Sequence, residues 1–111
     1  MAFKVRLLES AEKFLSELDD KLKAKSFRTI ELLKEFGPEL REPFSKKISG
    51  YESLFELRVK QSSNICRFFY FFEKDRIIII TSGYVKKEQK TNREQLKKAV
   101  YLMSLYEGKK Q

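Results

Sequence analysis

The hydrophobic positions of this chain change character along its length. From Asn64 to Lys90 they merge into two near-continuous blocks, Ile65 to Phe72 and Ile77 to Ile79, separated by Glu73-Lys74-Asp75-Arg76. β-Branched and aromatic side chains suit a pleated, packed surface. Runs this apolar, bounded by charge, predict adjacent strands at the middle of a sheet whose two faces are both covered. Elsewhere the pattern is periodic. Phe3-Lys4-Val5-Arg6-Leu7-Leu8 alternates and predicts a short first strand. Ala11, Phe14, Leu15, Leu18 and Leu22 recur at helical spacing, and Phe27, Ile30, Leu33 and Phe36 continue it. Ser10 is the expected N-cap. Asp19-Asp20 divides the run into two helices, and Gly37-Pro38 ends it, because glycine accepts a left-handed terminus and proline cannot extend a helix.

A second short strand is expected over Phe44 to Ile48, with a turn at Ser49-Gly50. Leu54 to Lys60 reads as another strand, with Phe55, Leu57 and Val59 on one face and Glu56, Arg58 and Lys60 on the other. Thr91-Asn92-Arg93-Glu94 matches a capping box. Leu96, Ala99, Val100, Met103 and Tyr106 then follow at helical spacing, so a helix closes the chain, with residues 108–111 as a frayed end. The expected architecture is α+β: an N-terminal strand and a helical hairpin packed on a mostly antiparallel sheet, with a C-terminal helix. One domain spanning residues 1–111 is expected from the length.

Composition narrows the picture. A hydrophobic content of 41% with 10 phenylalanines supports a folded core. No apolar run is long enough to span a bilayer and no signal-peptide pattern opens the chain, so no membrane association is expected. One cysteine excludes an internal disulfide, which favours a reducing compartment, with the cytoplasm as the default and Cys66 as a core residue. With no histidine and one cysteine, the usual nitrogen and sulfur metal sites are not expected. The net charge is +8 and it is polarised. Residues 1–40 hold eight Lys/Arg against eight Asp/Glu, residues 41–82 eight against five, and residues 83–111 eight against three. A basic excess confined to the sheet-forming and C-terminal parts suits a polyanion, above all nucleic acid, although a solvated lysine-rich surface has the same composition.

The absence of histidine removes Ser-His-Asp and Cys-His catalysis. The four glycines are scattered and form no phosphate loop. What remains is Arg58, Arg67, Tyr84, Lys86, Lys87 and Lys90. Arginine grips a phosphate in a bidentate fork, lysine stabilises developing negative charge, and a lysine crowded by cations has its pKa pushed down toward use as a base. A tyrosine stacks on a base or passes a proton. These parts suit RNA, whose 2′-hydroxyl can attack its own neighbouring phosphate. Such a site need only orient the attack, stabilise the phosphorane and protonate the leaving 5′-oxygen. Plainer roles exist for each residue. Arg58 can pair with Glu56 or Glu52, and Arg67 with Glu73 or a carbonyl. The lysines can serve solubility, and Tyr70 and Tyr84 packing. Phe69 and Phe71 share the alternation register of Arg67, so its face is not purely polar.

In FELRVKQSSNICRFFYFF followed by IIIITSGYVKKEQKTNREQLKKAV, the chain resembles the HigB branch of the RelE-like toxins of bacterial toxin–antitoxin pairs, including their phage-derived relatives. The resemblance lies in Glu56-Leu57-Arg58, Arg67 to Tyr70, Ile77 to Ile80, Gly83-Tyr84-Val85-Lys86-Lys87, and Thr91 to Glu94. It implies a RelE-like fold and an mRNA endoribonuclease, largely ribosome-dependent and without metal or other cofactor. It also implies an antitoxin that holds the toxin inactive, HigA-like with a helix-turn-helix. Carried onto this chain, the catalytic set is Arg58, Arg67, Tyr84 and Lys87, and the RNA-binding set is Lys46, Lys47, Lys60, Lys86 and Lys90. Ser82 stands where many relatives have histidine, which leaves the general base unassigned, and Asn92 stands where many have proline. The rival expectation keeps the fold without the chemistry: a gyrase-inhibiting toxin of the ParE type, or a basic nucleic-acid-binding module.

Overall fold

Five strands stand side by side in the computed structural model, which describes residues 2–86 and 91–108. They are Lys4–Leu7 (β1), Ser45–Lys47 (β2), Phe55–Gln61 (β3), Asn64–Glu73 (β4) and Ile77–Val85 (β5), in the order β1-β5-β4-β3-β2. β1 runs parallel to β5, and the other pairs are antiparallel. The helices are Glu9–Ser16 (α1), Asp20–Phe36 (α2) and Arg93–Gly108 (α3). The expected α+β architecture is therefore present, with the two apolar blocks at or next to the middle of the sheet.

Strand alternation divides the core into two layers. Cys66, Phe68 and Tyr70 of β4 face the α1–α2 hairpin, where they meet Leu57, Ile78, Ile80, Leu15, Leu22 and Leu33. Phe69 faces the other way, into a smaller cluster with Leu54, Tyr84 and Ala99 of α3. Phe14 of α1 packs edge-on against Phe68 at 5.5 Å and sits directly over Gly83. A Cβ at Gly83 would stand 2.5 Å from the Phe14 ring, so the glycine is what lets α1 close on β5. Cys66 is a core residue, as expected. Its thiol lies 3.7 Å from the Ser26 hydroxyl, and burial pushes its pKa up to about 11.

The element boundaries show which capping signals act. Asp19 accepts the Leu22 N–H at 2.9 Å and starts α2, so the Asp19-Asp20 break is real. Gly37, at φ +52°, terminates α2 ahead of a 3₁₀ turn over Gly37–Glu39. Two expectations are corrected. The N-cap of α1 is Leu8, with no side-chain cap, rather than Ser10. The Leu8 N–H is held by the Ile80 carbonyl at 2.9 Å, so the chain passes directly from the ladder into the helix and leaves Ser10 in the first turn. At α3 the cap is Asn92, whose side chain accepts the Gln95 N–H at 3.1 Å, because the Thr91 hydroxyl is engaged elsewhere. Among the described residues no helix is long and apolar enough to cross a membrane.

One irregularity places the site. Phe69 pairs with Ser82, but Tyr70 pairs with Ile80, which leaves Thr81 as an extra residue on β5. A bulge of this kind reverses side-chain parity beyond it. Ile78 and Ile80 face the hairpin, and without the bulge Tyr84 would too. With it, Tyr84 stands opposite Arg67 on the α3 face.

Candidate functional site

The α3 face of the sheet carries a group of charged and polar residues centred on Glu56. Arg58 of β3 and Arg67 of β4 are direct cross-strand partners. Like charges placed so are destabilising unless something stands between them. That something is the Glu56 carboxylate, 1% exposed. The Arg67 Nη1 donates to Glu56 Oε1 at 2.7 Å, and the Arg58 Nε lies 3.4 Å from the same oxygen. Tyr84 and Thr91 donate their hydroxyls to Oε2, each at 3.3 Å. Thr91 also accepts from Arg67 at 3.5 Å, and the Asn92 N–H donates to the Tyr84 oxygen at 3.4 Å. The start of α3 is thus tied to the sheet through Glu56 and Tyr84.

Three features of the group bear on chemistry. Lys86 continues β5, its N–H bonded to the Ile65 carbonyl at 2.8 Å. Its pKa is held below the ordinary lysine value, first by partial burial and then by the charges of Arg67 and Arg58. Three cations around one carboxylate leave a positive excess that an anion would neutralise. Arg67 is 3% exposed, and among the described residues its Nε–H is a buried donor without a partner. An unpaired buried donor costs about 1–3 kcal/mol, and native proteins keep few of them. Beside this group lies a cavity of 310 Å³ whose lining includes Arg58, Lys60, Arg67 and Lys86. Among the described residues no set of histidine, cysteine, aspartate or glutamate side chains is grouped as metal ligands.

Tyr84 is braced rather than presented. Its ring stacks on Phe69 at 5.6 Å and an interplanar angle of 18°, and it is 7% exposed. Burial, more than the nearby Glu56 charge, raises its pKa, so the phenol remains a neutral donor to Glu56.

The family model described as "Phage derived protein Gp49-like" matches residues 13–104. The chain belongs to this family. Among solved structures, it is similar to an arginine double mutant of Escherichia coli toxin RelE in the free state, with TM-score 0.68, 20% identity, and 91% of this chain and 97% of that one covered. It also resembles the archaeal RelE–RelB complex from Pyrococcus horikoshii, with TM-score 0.55, 22% identity, and coverage of 77% and 96%. The Mycobacterium tuberculosis toxin–antitoxin complex RelBE2 matches with TM-score 0.55, 13% identity, and coverage of 78% and 100%. No curated protein matches the chain. The RelE-like resemblance read from the sequence is therefore borne out in fold, and the chain's family is the phage-derived Gp49-like one.

This Gp49-like chain brings together some of the expected site residues. Arg58, Arg67, Tyr84 and Lys86 converge, with Lys60 exposed at the cavity rim. Lys46 stands opposite Glu56 and Lys47 opposite Phe55, so alternation sends Lys47 to the hairpin face, away from the group. Lys87 and Lys90 lie outside the described residues. Ser82 is buried opposite Phe69, its hydroxyl 3.4 Å from that of Thr81. Among the described residues Arg67 pairs with Glu56 rather than with Glu73 or a carbonyl. It is also enclosed by the sheet and α3. Sequence reading missed Glu56 as the hub and Thr91 as its partner. The one available signal was a carboxylate sharing the alternation face of Arg58.

Proposed function

We propose that this protein is the toxin of a type II toxin–antitoxin pair, and that it cuts mRNA on translating ribosomes in the cytoplasm, without a metal ion. The observation that carries the reading is the pair of directly opposed arginines sharing one buried carboxylate, with Lys86 alongside and a buried Arg67 donor unmatched among the described residues. Such a group is built for an oxyanion such as the scissile phosphate. Arg58 and Arg67 hold that phosphate and stabilise the phosphorane as its charge grows. Lys86, with its lowered pKa, accepts the proton of the attacking 2′-hydroxyl, and as the 2′,3′-cyclic phosphate forms the P–O5′ bond breaks, the 5′-oxygen taking its proton from water. Tyr84 and Glu56 position the arginines. Lys46, Lys60, Lys87 and Lys90 contact the RNA backbone. The nucleophile is the RNA's own hydroxyl, so the protein supplies position and charge. The P. horikoshii and M. tuberculosis relatives are complexes of toxin with antitoxin. We extend a neutralising partner to this chain, of the HigA-like helix-turn-helix type.

Mapping mRNA 5′ ends after brief induction tests the reading. Wild type should produce in-frame cuts in translated messages, and Arg58→Ala should reduce them about 100- to 1,000-fold, the usual loss of one transition-state donor. Arg58 is the better first target because its side chain is 26% exposed and its removal should leave the fold intact. Growth arrest with intact messages would instead identify a non-catalytic toxin of the ParE type.

The role of Lys86 has its own signature. A base works deprotonated, so single-turnover cutting should rise with pH and level off below the ordinary lysine range, as its lowered pKa requires. Lys86→Arg stays charged throughout and should lose that rise. A profile unchanged by the substitution would remove Lys86 from proton transfer.

A further inference from the structure

We infer that the cavity beside Arg58 is a nucleobase slot, seating the base of the nucleotide whose phosphate the arginines hold. The inference rests on the RNA reading above and adds what the site recognises. At 310 Å³ the cavity is at the low end of small-molecule sites, about 300–1,000 Å³, which suits one nucleotide fragment rather than a stretch of chain. It opens where β2 stops short and β3 continues without it. Pro43, Phe44, Val59 and Ile65 give it apolar walls, and Arg58 and Lys86 stand on its lining with them. An apolar slot fused to a cationic one matches a ligand that is aromatic in one part and anionic in the next.

Phe44 is the residue that favours a base. Ten phenylalanines serve this chain, and Phe68, Phe69 and Phe71 are buried, whereas Phe44 is 37% exposed at the cavity wall. Its backbone carbonyl accepts the Arg58 N–H at 2.7 Å, so the ring is held one hydrogen bond from a strand that carries a phosphate-binding guanidinium. Stacking of splayed bases on aromatic rings beside basic side chains is the common way proteins hold single-stranded RNA. Lys25 of α2 supplies a charged donor, and among the described residues no acidic side chain joins it on the lining. A base with an acceptor edge suits that donor best, as guanine does with O6 and N7. The α1–α2 hairpin, expected only to cover the sheet, thereby contributes to recognition.

The test compares the binding of guanosine 3′,5′-bisphosphate with that of the abasic ribose 3,5-bisphosphate to the full chain, by calorimetry or NMR titration. A stacked base is worth about 5- to 150-fold in affinity, so wild type should prefer the guanosine compound by at least about fivefold. Phe44→Ala should lose that preference while binding the abasic compound about as wild type does, and Phe44→Tyr, which keeps a stacking face, should retain it. Lys25→Met, on the helix surface, should reduce the preference without touching the sheet. Equal binding of the two compounds by wild type, or a preference that survives Phe44→Ala, overturns the slot. Failure of the nuclease reading looks different. Wild type that leaves messages intact but binds the base through Phe44 keeps the slot and loses the cutting. Wild type that cuts but ignores the base does the reverse.

Discussion

Glu56→Ala should melt about 15–25 °C below wild type. Removing one member of a buried ion pair costs about 3–5 kcal/mol, because the other charge is left uncompensated, and for a chain of this length each kcal/mol moves Tm by several degrees. Both members qualify as buried, with Glu56 1% and Arg67 3% exposed. The loss is not of the pair alone, since Glu56 also separates Arg67 from Arg58 and receives Tyr84 and Thr91. Pairing Glu56→Leu with Arg67→Met should recover most of the melting temperature, because no charge is then stranded, while RNA cutting stays absent. Thermal melts followed by circular dichroism decide the matter. A single variant as stable as wild type would mean that Glu56 is not the hub.

Inserting one alanine between Phe69 and Tyr70 should be more damaging than any substitution at Thr81. Thr81→Ala loses only a 3.3 Å hydrogen bond to the Phe69 carbonyl and a small side chain, about 1 kcal/mol. Insertion gives Thr81 a partner on β4, so with Tyr70 and Ile80 held in place the bulge closes and Arg67 and Tyr84 both turn to the hairpin face unless the strands slip. Tyr84 would then point into the helical hairpin, where Phe14 occupies the space above Gly83, and Glu56 would lose a donor. The expected result is a chain that fails to unfold cooperatively or melts far below Thr81→Ala, with no RNA cutting. An insertion variant that melts and cuts like Thr81→Ala would show that the bulge does not set the site.

These two positions also mark the limit of what could be read in advance. The helices were legible because Leu15, Leu18, Leu22, Ile30 and Leu33 repeat at the period of one buried stripe, and Gly37-Pro38 cannot continue a helix. The central strands were legible because a continuous apolar run such as Phe68 to Phe71 needs cover on both faces of a sheet. The bulge was not, since one additional threonine leaves no mark in composition or period. The Thr91 signature was read locally, as a cap, whereas a buried carboxylate 35 positions away had the stronger claim on its hydroxyl. Ser10 lost its role for a similar reason, to a backbone bond between Leu8 and Ile80. Local rules failed where a distant partner outbid them, and in Thr91 that partner belongs to the candidate site.

The parallel pairing of β1 with β5 bears on how the molecule is born. Lys4 to Leu7 leave the ribosome early, yet their partners, Ile77 to Ile80, emerge more than seventy residues later. Until then α1 lacks the strand it packs on, and the first strand has no neighbour. A nascent chain that stops short of Val85 already carries Glu56, Arg58 and Arg67, but lacks the strand that brings Tyr84 to them. On the proposed function, translation products that stop before β5 would be inert.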